Sequence, residues 1–210
     1  MIIPAIKKTY NGKTVLNIPE TEIEDGSLTV ILGHNGSGKS TLSKILAGII
    51  KDDSGFFLRL PLKVGYMTQA SLPFRMSVRR NLLLNAGSDL SAEEKHQLAE
   101  KLIDEIGLTE YASKNAKKLS GGQIERMAFA RILMKKYDLL ILDEPMASMD
   151  QAAIPMAEKM LLNYQKGTGC TILLITHSAD QASRLAESII RLENGELSGK
   201  ETAPLSDELT

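Results

Sequence analysis

The stretch "GHNGSGKST", Gly33 to Thr41, follows the apolar run "SLTVIL" and matches G-x-x-x-x-G-K-[ST] through Gly33, Gly38, Lys39 and Ser40. Glycines at these points let successive backbone N–H groups turn inward on a phosphate. A lysine at the head of the following helix can reach the β- and γ-phosphates of a nucleotide, and the Ser40 hydroxyl suits Mg²⁺. The rest of the loop, His34, Asn35, Gly36, Ser37 and Thr41, would bind nucleotide with it. An ordinary glycine turn is the competing reading, but a chance match in a chain this long is on the order of 1%. The strand before and the helix after are the context that phosphate binding requires.

A second constellation is "LLILDEP", Leu139 to Pro145, an apolar strand that ends in two acids. Such acids belong at the carboxyl edge of an open α/β sheet, where ligands bind. Asp143 is then placed to hold the metal through water and Glu144 to polarise an attacking water. Capping of the next turn is the plainer alternative, weakened by the upstream loop. A third is "KLSGGQIERMAFARIL", Lys118 to Leu133, where a serine and two glycines head an amphipathic helix. That start also suits an anion held against exposed N–H groups. One nucleotide hardly needs two cradles, so the segment poses a question.

These residues need strands to carry them and helices to cover the strands. "SLTVILG", "KVGYMTQ", "DLLILDE" and "CTILLIT" read as buried strands, with helices expected over Lys39 to Ile50, Ser120 to Lys136, Gln151 to Gln165 and Ser178 to Ala186. Met127, Ala130, Ile132 and Leu133 are the positions of the second helix expected against the core. Apolar strands alternating with helices imply a mostly parallel sheet covered on both faces. Segments near Ile2 to Ile6 and Thr14 to Ile18 flank "YNGK", an Asn-Gly hairpin signal, and "SIIRLENGEL" reads as a second hairpin. Ser71 to Lys118 has helical texture instead: "SAEEKHQLAEKLIDEIG" carries a capping box, Ser91 with Glu94, and stops at Gly107. The tail "GKETAPLSDELT" is polar and expected to be loose.

Composition narrows the class. The chain has 210 residues, room for one sizeable core with a small lobe, and a formal net charge of −1, which offers no broad electrostatic grip on nucleic acid. A single cysteine, Cys170, opens an apolar strand, as a buried thiol in a reducing compartment would. The N-terminal apolar part is too short for a signal peptide, and no run approaches the length of a spanning helix. These features point to a soluble, cytoplasmic protein.

With the loop, the acid pair and "LSGGQ" together and in order, the sequence resembles the ATP-binding subunit of ATP-binding cassette (ABC) transporters, over about Lys7 to Leu197. Leu119 to Gln123 corresponds to the signature that separates this family from other P-loop ATPases. The resemblance implies an α/β, P-loop NTPase (RecA-like) core with a mostly parallel sheet over residues 1–70 and 119–200. It also implies an N-terminal antiparallel β subdomain, an inserted helical subdomain over 71–118, and a polar tail over 201–210. ATP and Mg²⁺ would be bound and ATP hydrolysed.

Further residues follow from the resemblance. Tyr10 matches an aromatic that stacks on adenine, though it could merely pack beside the Asn-Gly turn; Gln69 matches a glutamine that contacts Mg²⁺ and links the ATP site to the helical lobe. His177 matches a switch histidine at the γ-phosphate, whereas His34 is a variable loop position. Ala147 to Asp150 matches a loop that crosses a dimer interface, with Met149 where leucine is usual. Ser120, Gly121, Gly122, Gln123 and Asp150 would complete the ATP site of a second, head-to-tail subunit, which answers the question of the surplus cradle. A homodimer would then be competent at both sites. Separate transmembrane permease chains are implied, docking near the helical lobe and Ala70 to Asn81, as is a place on the inner face of the cell membrane. A substrate-binding protein is a further partner the resemblance allows. A soluble assembly ATPase of the same family, such as one serving iron–sulfur clusters, is the alternative class.

Overall fold

The computed structural model describes residues 1–55, 62–70 and 72–202. Its contacts group the chain into two compact units. The first takes in the described residues of 1–66, 137–144 and from 169 onward; the second takes in those of 67–136 and 145–168.

The first unit is centred on strands made almost wholly of aliphatic residues and threonine. β5 (Leu28–Leu32), β7 (Leu139–Asp143) and β8 (Thr171–Thr176) are buried along their whole length, as strands covered on both faces must be. With β6 (Val64–Met67), β9 (Ser188–Glu193) and β10 (Glu196–Thr202) they form one six-stranded sheet in the order β10-β9-β5-β8-β7-β6. β8 lies parallel to both β5 and β7, and β5 parallel to β9, while β10 runs antiparallel to β9. The register pairs Leu32 with Thr176 and Ile175 with Asp143. Three strand ends therefore lie side by side, and the residues after them (Gly33, Glu144 and His177) share one edge.

Antiparallel ribbons complete this unit. β2 (Ile6–Tyr10) and β3 (Lys13–Ile18) pair across Asn11 and Gly12, both at positive φ (50° and 78°), as a two-residue hairpin turn requires. The first apolar segment splits: β1 (Ile2–Ile3) pairs with β4 (Thr21–Glu22) and not with the hairpin. α1 (Lys39–Leu46) packs against β3 and β7, and α6 (Ala179–Leu185) against β5 and β8. Ile6, Leu16, Ile31, Ile45, Leu139 and Leu173 belong to the shared core. α1 is shorter than expected, its backbone turning away through Ala47 to Gly48 at φ 69°. The expected loose tail is also corrected in part, because Gly199 to Thr202 pair with Arg191 to Ser188 in the terminal hairpin. Residues 203–210 lie outside the described residues.

The second unit is helical: α2 (Val78–Leu83), α3 (Ala92–Glu105), α4 (Gly121–Ile132) and α5 (Ala153–Thr168). α2 packs on α3 and α4, and α4 on α3 and α5. The capping box on α3 forms both reciprocal bonds between Ser91 and Glu94, and Gly107 follows the helix at φ 67°. Along α4 the buried face is Met127, Phe129 and Ala130, with Leu133 just beyond; Ile132, expected in the core, is only half-buried. The unit takes in more of the chain than the expected 71–118 insert, since α4 and α5 join it.

Candidate functional site

The loop after β5 has the backbone of an anion cradle. Gly38 takes φ 104°, and a side chain there would put a Cβ 2.7 Å from Leu16 Cδ2 and 2.9 Å from the Val15 carbonyl, so only glycine fits. Gly38 is also the N-cap of α1, and no side chain caps that end. Among the described residues the N–H groups of Gly36, Gly38, Lys39 and Ser40 have no protein partner, which leaves donors and the positive helix end together. Lys39 is buried to 6% exposure, its Nζ donating to the carbonyls of Gly33 (2.7 Å) and His34 (2.9 Å). A buried ammonium folded onto the loop needs only a short swing to reach an anion held there. His34, Asn35 and Gly36 are exposed at the tip, with Thr41 one turn into α1.

Facing α1, the carboxylate of Asp143 is 98% buried and, among the described residues, held by hydroxyls. Ser40 Oγ donates to Oδ1 (3.4 Å), and Ser43 Oγ (3.0 Å) and the Tyr66 hydroxyl (3.4 Å) donate to Oδ2. Burial, with Asp143 adding, pushes the Tyr66 hydroxyl above its ordinary value, so it stays a donor. The donor set fits a hard dication. Among the described residues no group of three or more His, Cys, Asp or Glu could form an all-protein cage, and Mg²⁺ is usually held by one or two carboxylates together with substrate phosphates. Ser40 and Asp143 supply such a partial set.

One residue on, Glu144 adopts φ 50°, unusual for a residue with a Cβ, while its N–H bonds the Ile175 carbonyl at 2.9 Å. The turn sends its side chain to the neighbouring strand end. Glu144 Oε1 lies 2.8 Å from His177 Nδ1, which donates to it, and Oε2 lies 3.5 Å from Thr176 Oγ1. The glutamate is buried to 8% exposure and the imidazole is exposed. With Nδ1 occupied, Nε2 is the ring atom left to meet a ligand. Tyr10, at the hairpin tip, keeps an exposed ring with the Lys8 ammonium 5.3 Å from its centroid.

The other predicted residues lie in the second unit. Ser120 caps α4: its Oγ accepts from the Gln123 N–H (3.3 Å), and Gln123 Oε1 accepts from the Ser120 N–H (3.0 Å). Gln123 is thus committed to the cap, while Gly121 and Gly122 present N–H groups without partners among the described residues. Gln69 and Gly121 share a pocket of about 240 Å³ with Glu125 and Ser148. Asp150 caps α5 through Ala153 N–H (3.0 Å) and lies 3.7 Å from Arg126.

The ABC transporter family profile matches residues 16–147. The chain belongs to this family. It is 38% identical over 200 residues to the tungstate uptake system ATP-binding protein TupC of Peptoclostridium acidaminophilum, covering 90% of this chain and 92% of that one. It is 31% identical over 194 residues to the aliphatic sulfonates import ATP-binding protein SsuB 1 of Streptomyces avermitilis, covering 92% and 73%. Among solved structures, a bacterial ABC transporter cassette described as dimeric superimposes with a TM-score of 0.82 at 25% identity, covering 97% and 99%. An ATP-binding cassette in a post-hydrolysis state with ADP and Pi gives a TM-score of 0.80, also at 25% identity, with the same coverage.

Further side chains of this ABC-family chain touch predicted residues without having been singled out in the sequence, Ser43, Tyr66, Thr176 and Glu125 among them. Ser43 lies three residues after Ser40, one helical turn on, and that spacing alone could have drawn it toward the same carboxylate. Tyr66 and Thr176 reach Asp143 and Glu144 only through sheet register, which no local pattern reveals. Glu125 accepts from the Ser148 N–H at 2.6 Å, and its signal was an acid on a helix face that turns out to be buried. Burial pushes its carboxyl up to about 7, against the lowering effect of the Ser148 and Met149 N–H bonds.

Proposed function

We propose that this chain is the ATP-hydrolysing subunit of an uptake system for an oxyanion, paired head to tail with a second copy and seated under a separate membrane permease. Binding and hydrolysis of ATP belong to the family, and the relatives of like length are ATP-binding subunits of uptake systems. The observation that carries the ATPase chemistry is the single sheet edge that gathers the phosphate loop, Asp143, Glu144 and His177. Full-length similarity to a tungstate uptake subunit, with sulfonate importers behind it, favours import of a tetrahedral oxyanion. Among the described residues no helix is long and apolar enough to cross a membrane, so the passage itself falls to another chain. A substrate-binding protein would deliver the anion to that chain, as importers of this kind require specificity outside the ATPase.

In this reading the N–H groups of Gly36 to Ser40 and the Lys39 ammonium bind and orient the phosphates, and Tyr10 offers its exposed face to the base. Ser40 and Asp143 would hold Mg²⁺, which when bound neutralises charge on the phosphates. Glu144 takes the proton of the attacking water at its carboxylate, while Nδ1 of His177 holds that carboxylate and Nε2 faces the γ-phosphate. Ser120 accepts within its own cap, so its O–H remains a donor; with the Gly121 and Gly122 N–H groups it completes the site of the paired chain. Asp150 flanks that contribution from the adjoining loop.

Glu144→Gln is expected to bind ATP normally and to lose turnover by roughly 10²- to 10⁴-fold, measured as phosphate release. Near-normal release would remove Glu144 from the role of base. Tungstate accumulation by cells lacking the chain should fall and return with the intact gene, and unchanged accumulation would sink the oxyanion assignment while leaving the ATPase standing.

A further inference from the structure

The head of α4 and the loop 147–150 are joined at three points. Gly122 approaches the Ser148 carbonyl so closely that a Cβ would lie 2.9 Å from it. Glu125, one turn further along the helix and 4% exposed, accepts from the Ser148 N–H at 2.6 Å and also from the Met149 N–H. Arg126 lies 3.7 Å from the Asp150 carboxylate, whose other oxygen caps α5. Of these three, only the glutamate ties loop backbone to helix from a buried position. Removing its oxygens would leave the Ser148 N–H without its acceptor, while the Met149 N–H would keep the Met146 carbonyl at 3.2 Å, and the loop would be free to relax away from the helix.

We infer that Glu125 is a positioning residue for the reaction: its carboxyl ties loop 147–150 to the head of α4, so that the two segments offered to a paired chain's ATP keep one mutual geometry. The inference rests on the head-to-tail reading above. In that arrangement Ser120 and Gly121 on the helix, and Ser148 and Asp150 on the loop, must meet one nucleotide together. A loop that wanders relative to the helix would spend binding free energy on ordering. The tie acts only through those segments and has no part in the binding of ATP to the phosphate loop of its own chain.

The test compares Glu125→Ala and Glu125→Gln in full-length Glu144→Gln protein with ATP and Mg²⁺. Dimer formation is followed by sedimentation and nucleotide binding to the dilute monomer by a fluorescent ATP analogue. Glu125→Ala should weaken dimerisation about tenfold, in keeping with one buried N–H left without its acceptor, and leave monomer binding unchanged. Glu125→Gln, whose amide oxygen still accepts, should recover most of the loss. Dimerisation unaffected by Glu125→Ala would overturn the inference, as would a parallel loss of monomer binding or a glutamine variant no better than alanine. Absence of any dimer in Glu144→Gln alone would instead overturn the head-to-tail reading, and this inference with it.

Discussion

The chain contains two helix N-termini suited to phosphate, and they are made in opposite ways. α1 begins at a glycine with φ 104°, has no side-chain cap, and leaves a run of N–H groups and a buried lysine aimed at one place. α4 begins with a reciprocal cap between Ser120 and Gln123 that satisfies two backbone donors locally, so only the glycine N–H groups and one hydroxyl are left to offer. An uncapped end with its own cation can hold an anion by itself. A capped end keeps its shape unaided and adds a few donors to an anion that something else already holds.

Substitutions can break this contrast. Lys39→Ala should do the greatest harm to nucleotide binding, lowering the monomer's affinity for ATP roughly 10- to 100-fold, because a charge-assisted contact is lost from the end that works alone. Calorimetric titration would show it, and an unchanged affinity would mean that α1 does not bind the phosphates. Gly122→Ala should spare that affinity and suppress hydrolysis, since the new methyl must displace the Ser148 carbonyl at a cost of about 1–3 kcal/mol. If both substitutions reduced monomer binding alike, the two ends would belong to one site.

The smallest expected effect sharpens the energetics of the second unit. The Glu125 carboxyl is raised from its ordinary 4.5 to about 7, so between those values the folded state holds a proton that the unfolded chain has lost. Its contribution is present in full below about pH 4.5 and lost as pH rises through about 7. The stability of Glu125→Gln relative to the parent should therefore improve from pH 4.5 to 7 and stay level above, in paired denaturant titrations. A difference that does not vary with pH would show that the carboxyl titrates normally.

How legible each region was follows the same division. The strand, loop and helix around Gly33 to Thr41 could be read because their signals are consecutive: glycines, lysine and hydroxyl lie within nine residues, and a strand and helix hold them. The acids of β7 were readable because an apolar run ending in charge points to a sheet edge. What escaped depends on which strands become neighbours. Tyr66 meets Asp143 across 77 residues, and Ile2 pairs with Glu22 and not with the hairpin. The cap on α4 was legible in principle, since Ser-x-x-Gln is a capping pattern, but the phosphate-like glycines drew attention from Gln123.

The positive φ at Glu144 also divides labour across a single peptide bond. Asp143 ends its strand facing hydroxyls of α1 and β6, whereas Glu144, turned out of the pleat, bonds residues at the end of β8. Among the described residues no side chain holds both acids. Altering Glu144 therefore leaves Asp143 with its hydroxyl partners, so a chain arrested at Glu144 should stall with its nucleotide in place and its geometry intact.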